Sequence, residues 1–381
     1  MLRVVTVIDS FKGSLSSIQA GEAVAAGVRA VYPDASISVR PLADGGEGTV
    51  DALVAGCNGR YETVAVEGPL GREVLARYGI IQENTAVIEM SAAAGITLIA
   101  PEERNPLYAT TYGVGQMIAD AIAKGCRRFM IGIGGSATND GGIGMLQALG
   151  FSLLRADGTP VSRGAIGLSE LATISDEGAL PALAACEFLI ACDVTNPLCG
   201  KTGCSAIYGP QKGATPDMIR KMDAWMEGYA TLTRTIRPAA DAAYPGTGAA
   251  GGLGFAFLSY LGGRLQSGIS LVLEATGAED HIRAADIVVT GEGRLDGQSA
   301  MGKAPVGVAR LAKKHGKPVI AFAGCVSEDA GVCNTEGIDA FFPILRGITT
   351  LETAMEVSVA AQNLQKTAEQ AFRLIRTFSE Q

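Results

Sequence analysis

The sequence predicts an α/β protein, with a doubly wound parallel sheet assembled from both ends of the chain and a second α/β domain inserted between them. Two observations predict the outer sheet. Continuous apolar runs alternate with helical apolar patterns over residues 1–60, and the same rhythm returns toward the C-terminus. A third observation separates the middle, where hairpin-like alternation and longer helices take over. The outer domain is read as Rossmann-like, from 1–60 and 282–381, and the inserted domain as 61–281. A site in the cleft between them is the expectation.

Each element has its own signal. The apolar run at 4–8 reads as a strand buried on both faces. Ala20, Val24, Val28 and Val31 then recur at helical spacing. A second strand follows at 37–42, and Val50, Leu53 and Val54 mark one face of a short helix. Residues 61–91 alternate like hairpins around the turn Gly68-Pro69-Leu70-Gly71. Helices are expected near 111–124 and 215–232, the latter capped by Thr215 with Pro216 at its first position. Strands are expected at 129–133 and 188–191. The outer pattern resumes with strands at 287–289, 319–323 and 340–344 and a helix at 305–312. Leu364, Ala368, Phe372, Ile375 and Phe378 give the closing helix its apolar stripe.

Composition bounds the function. The chain has 381 residues, 48% of them hydrophobic, which is ample for a large core. Its net charge of −8 argues against nucleic acid, whose phosphates need a basic face. No run of 18 apolar residues offers a membrane span, and the apolar start is too short for a signal peptide, so a cytoplasmic protein is expected. The eight cysteines include no Cys-x-x-Cys and read as buried, reduced thiols. The only histidines, His281 and His315, fall at polar helix ends and read as solvated, which leaves little material for a zinc site or a Ser-His-Asp triad. Glycine, 50 of 381 residues or about 13%, exceeds the roughly 7% of ordinary usage and clusters in loops.

Five loops combine glycine with carboxylate, amide or hydroxyl groups, and ligands of doubly wound sheets bind beyond the carboxyl ends of strands. Asp9-Ser10-Phe11-Lys12-Gly13-Ser14 follows the first strand and carries a cation suited to phosphate or carboxylate. Ala43-Asp44-Gly45-Gly46-Glu47-Gly48 sets two acids around a glycine pair at a helix start, a donor set for Mg²⁺. The glycine-rich stretch 132–142, with Ser136, Thr138, Asn139 and Asp140, can offer backbone N–H groups to an anion. Cys192-Asp193-Val194-Thr195-Asn196-Pro197 places an acid at a strand end, and Lys212 follows in the turn Gly209-Pro210-Gln211-Lys212-Gly213, where exposure alone could explain it. The fifth loop, 291–304, contains Gly297-x4-Gly302-Lys303. It falls short of a phosphate-binding P-loop because Ala304 stands where a hydroxyl should hold Mg²⁺ and because the run starts about seven residues past the predicted strand. Arg294 offers a bidentate fork for a carboxylate. Together these loops hold what phosphoryl transfer needs: cations, carboxylates for Mg²⁺ and a base.

The chain strongly resembles the bacterial two-domain glycerate kinases. The resemblance rests on seven collinear motifs: Asp-Ser-Phe-Lys-Gly-Ser-Leu-Ser at 9–16, Ala-Asp-Gly-Gly-Glu-Gly-Thr at 43–49, Gly-Gly-Ser-Ala-Thr-Asn-Asp-Gly-Gly at 134–142, Ala-Cys-Asp-Val-Thr-Asn-Pro-Leu at 191–198, Gly-Pro-Gln-Lys-Gly-Ala at 209–214, Gly-Ala-Ala-Gly-Gly at 248–252 and Thr-Gly-Glu-Gly-Arg-Leu-Asp at 290–296. One departure is Val7-Ile8 before Asp9, where the family pattern has Ala-Pro. The resemblance implies ATP-dependent, Mg²⁺-dependent phosphorylation of D-glycerate, in most such enzymes at the 2-hydroxyl, within glyoxylate or sugar-acid catabolism.

The expected arrangement spreads ATP–Mg²⁺ across the loops 132–142 and 291–303. Asp193 is expected to be the base, with Asp44 as rival; Asp44 and Glu47 lie near Mg²⁺; Lys12 and Arg294 hold the substrate carboxylate or the moving phosphoryl group. Asp9, Ser10, Gly45, Gly46, Gly134, Gly135, Ser136, Thr138, Asn139, Asp140, Asn196, Lys212, Gly291, Glu292, Gly293, Asp296 and Lys303 complete the expected substrate and phosphate contacts. The partners are D-glycerate and ATP, without nucleic acid or membrane, and a homodimer is left open. Four alternatives stay open: transfer to the 3-hydroxyl of glycerate, another hydroxy acid as acceptor, an NAD-linked oxidoreductase on the same sheet, and a non-catalytic ligand-binding regulator.

Overall fold

In a computed structural model, which describes residues 1–379, the chain divides into two compact units. One comprises Met1–Asp44, Asp51–Asn58 and the chain from Ile269 onward; the other comprises Gly45–Val50 and Gly59–Gly268. Of the range 282–381 expected for the outer domain, Glu380 and Gln381 lie outside the described residues.

The first unit is built on five parallel strands in the order Ala340–Pro343, Val319–Val326, Ile287–Leu295, Arg3–Ile8, Ser36–Pro41. Its central strand is Ile287–Leu295, so a strand from the last hundred residues pairs directly with the first strand of the chain, Val5 opposite Val288. Val4 and Ile8 point into a core shared with Val24, Val28, Phe322, Leu364 and Phe372. That core is closed by helices Ser17–Arg29 and Val357–Ser379, which pack side by side. Their approach depends on Gly27, where a Cβ would lie 2.4 Å from the Gln365 carbonyl oxygen. A capping box starts the first of these helices: the Gln19 N–H donates to Ser16 Oγ and the Ser16 N–H to Gln19 Oε1. Helices Ala278–Ala284 and Ala304–Lys314 contact strand Arg3–Ile8 as well. The first of these spans the expected domain boundary between residues 281 and 282, and nothing in its polar, helix-forming residues marks which unit it packs against.

The second unit carries a six-stranded mixed sheet, ordered Arg264–Gln266, Glu187–Ala191, Arg128–Gly132, Thr85–Glu89, Glu73–Ile81, Arg60–Glu67. The first four strands are parallel, and the last two add the antiparallel hairpin expected at 61–91, turning through Gly68 and Gly71. Helix Pro216–Ile236 begins as expected, with the Met218 N–H donating to the Thr215 hydroxyl. A separate two-stranded ribbon pairs Ser152–Leu154 with Thr173–Ser175.

Two expectations change at this level. The strand expected at 287–289 runs on to Leu295, so Gly291, Glu292, Gly293 and Arg294 are strand residues rather than a loop. Alternate polar side chains hid it, since only its first half is apolar on both faces. One of the two grounds for setting aside the P-loop match goes with it: Gly297 stands two positions beyond the strand, not seven, while the missing hydroxyl at Ala304 remains. The histidines are half-buried and paired, His281 with Ser38 Oγ and His315 with Glu279, rather than solvated. Cys325 is exposed, unlike the buried thiol expected.

Candidate active site

In the first unit a cavity of about 480 Å³ opens beyond the carboxyl ends of the parallel strands. Asp9, Ser10 and Lys12 reach it from the end of Arg3–Ile8, Asp44 from the segment after Ser36–Pro41, and Glu292, Gly293, Arg294 and Asp296 from Ile287–Leu295 and its exit. Lys303, at the start of helix Ala304–Lys314, completes the charged group. These residues are far apart in sequence, and the parallel topology gathers them because every strand ends on the same side of the sheet.

Local geometry fixes them. The turn Phe11-Lys12-Gly13-Ser14-Leu15 closes on itself, the Phe11 N–H donating to the Leu15 carbonyl and the Ser14 N–H to the Phe11 carbonyl. Gly13 takes φ +78 there, a value that an L side chain adopts at a cost. Asp9 donates its own N–H to the Gly291 carbonyl at 2.9 Å and accepts the Ser10 N–H at 2.7 Å. Lys12 Nζ stands 3.6 Å from Asp44. Asp296 accepts the Gln298 and Ser299 N–H groups and faces Arg294 at 3.6 Å and Lys303 at 3.9 Å. The Ser299 hydroxyl donates to Glu292.

Four carboxylates in one partly enclosed space repel one another. Burial, with the negative charge of Asp44, pushes the Asp9 carboxyl up to about 7. Burial also raises Glu292, with Asp296 and Asp44 adding to it against Lys303. Perturbed carboxyls among lysines in a strand-end cavity are the electrostatic mark of a functional site. The donor set also fits a hydrated divalent cation: a few carboxylate oxygens unpaid by the local cations, with room left for phosphate oxygens and water. Among the described residues no group of three or more His, Cys, Asp or Glu side chains is placed to hold a metal ion.

The other expected site residues lie in the second unit. Gly45 and Gly46 pack on its strand ends: a Cβ at Gly45 would meet Ala191 at 2.6 Å, and one at Gly132 would meet the Gly45 carbonyl at 2.3 Å. Glu47 is exposed on the following turn, in the second unit, and is not among the residues that line the first unit's cavity. In the loop after Arg128–Gly132, only Gly134 and Gly135 are open to solvent. Asp140 is fully buried and accepts from the Thr111 N–H and hydroxyl and from the Gly142 and Gly144 N–H groups, which anchors the loop. Thr138 and Asn139 are fully buried too, Asn139 donating to Ser205 Oγ. Lys212, expected among the phosphate contacts in a turn where exposure alone could explain it, is 2% exposed: its Nζ donates to Ser136 Oγ at 2.7 Å and to the Thr138 carbonyl at 2.6 Å, and burial pushes it down to about 8. Asn196 is spent locally, accepting from Tyr208 and donating to the Thr202 carbonyl. Asp193 is exposed at a strand end and accepts the Gly268 N–H at 3.3 Å. Gly291, inside its strand, is a packing glycine: a Cβ there would meet the Phe322 carbonyl at 2.1 Å.

A family model described as the glycerate kinase family matches residues 4–376. The chain belongs to the glycerate kinase family. It is 46% identical to glycerate 2-kinase of Escherichia coli K12 over 93% of both chains, and 44% identical to a glycerate kinase of Haemophilus influenzae over 98% of this chain and 99% of that one. The glycerate kinase fold is shared over the full length of both chains with a crystal structure of a candidate glycerate kinase 2 from Salmonella typhimurium LT2, at 43% identity and a TM-score of 0.92. This family member is therefore an enzyme of the kinase class with an α/β fold, as its motifs imply.

The motifs missed part of the glycerate kinase cavity. Ile344, Leu345, Leu351, Met355 and Ala360 line it, and none belongs to a polar loop. The strand-end rule applied to Ala340–Pro343 would have found Ile344 and Leu345. Leu351 and Met355 carry no local signal, since a short helix after a loop brings them in.

Proposed function

We propose that this glycerate kinase family member transfers the γ-phosphoryl group of ATP to the 2-hydroxyl of D-glycerate, giving 2-phospho-D-glycerate and ADP in the cytoplasm. The observation that carries the reading is the strand-end cavity, which combines Lys12, Arg294 and Lys303 with the perturbed carboxyls Asp9 and Glu292. The similarity to a protein named glycerate 2-kinase supports the position of transfer.

Asp44, with Asp9 or Glu292, would hold a hydrated Mg²⁺ together with phosphate oxygens, and the ion would supply charge that neutralises phosphate. Lys12 and Lys303 offer point charges to phosphate oxygens, and Arg294 offers its planar fork to a carboxylate or phosphate. A base must accept the proton of the attacking hydroxyl. Asp193, exposed at a strand end, and Asp44, already in the cavity beside Lys12, are the two candidates.

The test is ADP release from Mg-ATP with D-glycerate, followed by NMR of the product. Phosphate at the 2-carbon is expected. Phosphate at the 3-carbon would keep the kinase and overturn the position; no ADP from folded protein would remove the glycerate reading. Asp193→Asn decides between the candidates: it loses about 10²–10⁴-fold in kcat if Asp193 is the base, and a near-normal kcat leaves Asp44.

A further inference from the structure

The charged residues account for only part of the cavity. Sheet order makes it two-sided. At the centre, the strand ends of Arg3–Ile8 and Ile287–Leu295 supply the acids and cations. At the edge strand Ala340–Pro343, the lining turns apolar: Ile344 and Leu345 follow directly, and helix Leu351–Met355 brings Leu351 and Met355 over the cavity. Gly13 lets Met355 in close, since a Cβ there would stand 3.0 Å from Met355 Cε. Phe11, Ile344 and Ala360 are buried, but Leu345 is 42% exposed and Leu351 79% exposed. Two large aliphatic side chains held in solvent beside a charged cavity expose surface that a ligand would cover.

Of the two reactants, one cannot cover it. Glycerate is a three-carbon acid with two hydroxyls and has no apolar face. A purine has two flat faces of low polarity, and it is tied to a triphosphate that suits the lysines. We infer that the apolar side of this cavity, rimmed by Leu345 and Leu351, is the seat of the purine base. The first unit then binds the whole nucleotide, base at the edge strand and phosphates toward Lys12 and Lys303, and the base contributes affinity that bare triphosphate lacks. This rests on the kinase reading only for the identity of the nucleotide.

Calorimetric titration of the full chain with Mg-ATP and with Mg-tripolyphosphate tests it, in the wild type and in Leu345→Ala/Leu351→Ala. Both side chains are exposed, so their truncation spares the core. The wild type is expected to bind ATP at least about tenfold more tightly than tripolyphosphate, and the double variant to lose about that factor for ATP alone, the scale of one buried leucine contact. Equal wild-type affinities, no binding of either, or a variant that weakens both ligands alike would overturn the inference. A wild type that shows the base-dependent gain yet releases no ADP with D-glycerate would keep the base seat and remove the glycerate reading.

Discussion

At the scale of single residues, Asp9 carries the most chemical tension. It is 4% exposed, and Asp44 and Glu292 add negative charge around it. Its carboxyl stays protonated up to about 7 in the folded chain, against an ordinary 3.8. The folded state thus holds the Asp9 proton more tightly than the unfolded state does. The stability this gives is complete below pH 4 and is lost as pH rises toward 7. In the absence of ligand, Asp9→Asn should stabilise the protein at pH 8 by on the order of 2 to 4 kcal/mol, with the gain shrinking toward pH 4. Thermal melts across that range check it, and a gain that does not change with pH would refute the account. Activity should fall in the same variant, because the acid that costs stability is one of those proposed to face Mg²⁺. Lys212 is the opposite case: a buried cation without a carboxylate in hydrogen-bond contact, its proton poised near 8 and two of its three donors directed at Ser136 and the Thr138 carbonyl.

At the scale of elements, glycine decides how closely pieces pack. Helices Ser17–Arg29 and Val357–Ser379 meet at Gly27, where even a methyl group would strike the Gln365 carbonyl and the Ala368 Cβ at 2.9 Å. Gly27→Ala should therefore destabilise the first unit by about 1–3 kcal/mol, since added volume in a packed interface forces backbone shifts. Urea denaturation measures it; a neutral result would mean the helices part without cost. The turn Gly248-Ala249-Ala250-Gly251-Gly252 shows the same logic around the second unit's loop. Gly251 accepts the Gly141 N–H on its carbonyl, and a Cβ on Gly251 would lie 2.1 Å from the Thr138 carbonyl oxygen. Ala250 takes a left-handed φ of 52 in the same turn. These residues resemble family motifs, yet here they clamp backbone to backbone.

At the scale of the whole molecule, two units with separate cores divide the labour. The apolar core of Val4, Val24 and Phe322 belongs to the first unit, and that of Phe129, Phe188 and Leu253 to the second. If the nucleotide binds the first unit, Mg-ATP should slow hydrogen exchange in its cavity walls, in peptides spanning 289–296, 321–326 and 344–355. The ribbon Ser152–Leu154/Thr173–Ser175 should not change. Mass spectrometry reads both, and protection confined to the second unit would overturn the assignment. Among the described residues no helix is long and apolar enough to cross a membrane.

The sequence by itself determined the fold class, most strands and helices, the cap at Thr215, and the polar half of the cavity. Apolar periodicity and loop chemistry are local properties, and each is legible within a few neighbouring residues. Tertiary structure decided what depends on residues far apart. It extended Ile287–Leu295 through polar residues, because pairing with Val319–Val326 supplies hydrogen bonds that hydrophobicity did not announce. It buried Lys212 and Asp140, whose exposure in a turn or loop is set by what packs over them. It also brought Leu345, Leu351 and Met355 to the carboxylates of Asp9 and Glu292, since a cavity wall is defined by the path of the chain and not by any residue's own chemistry.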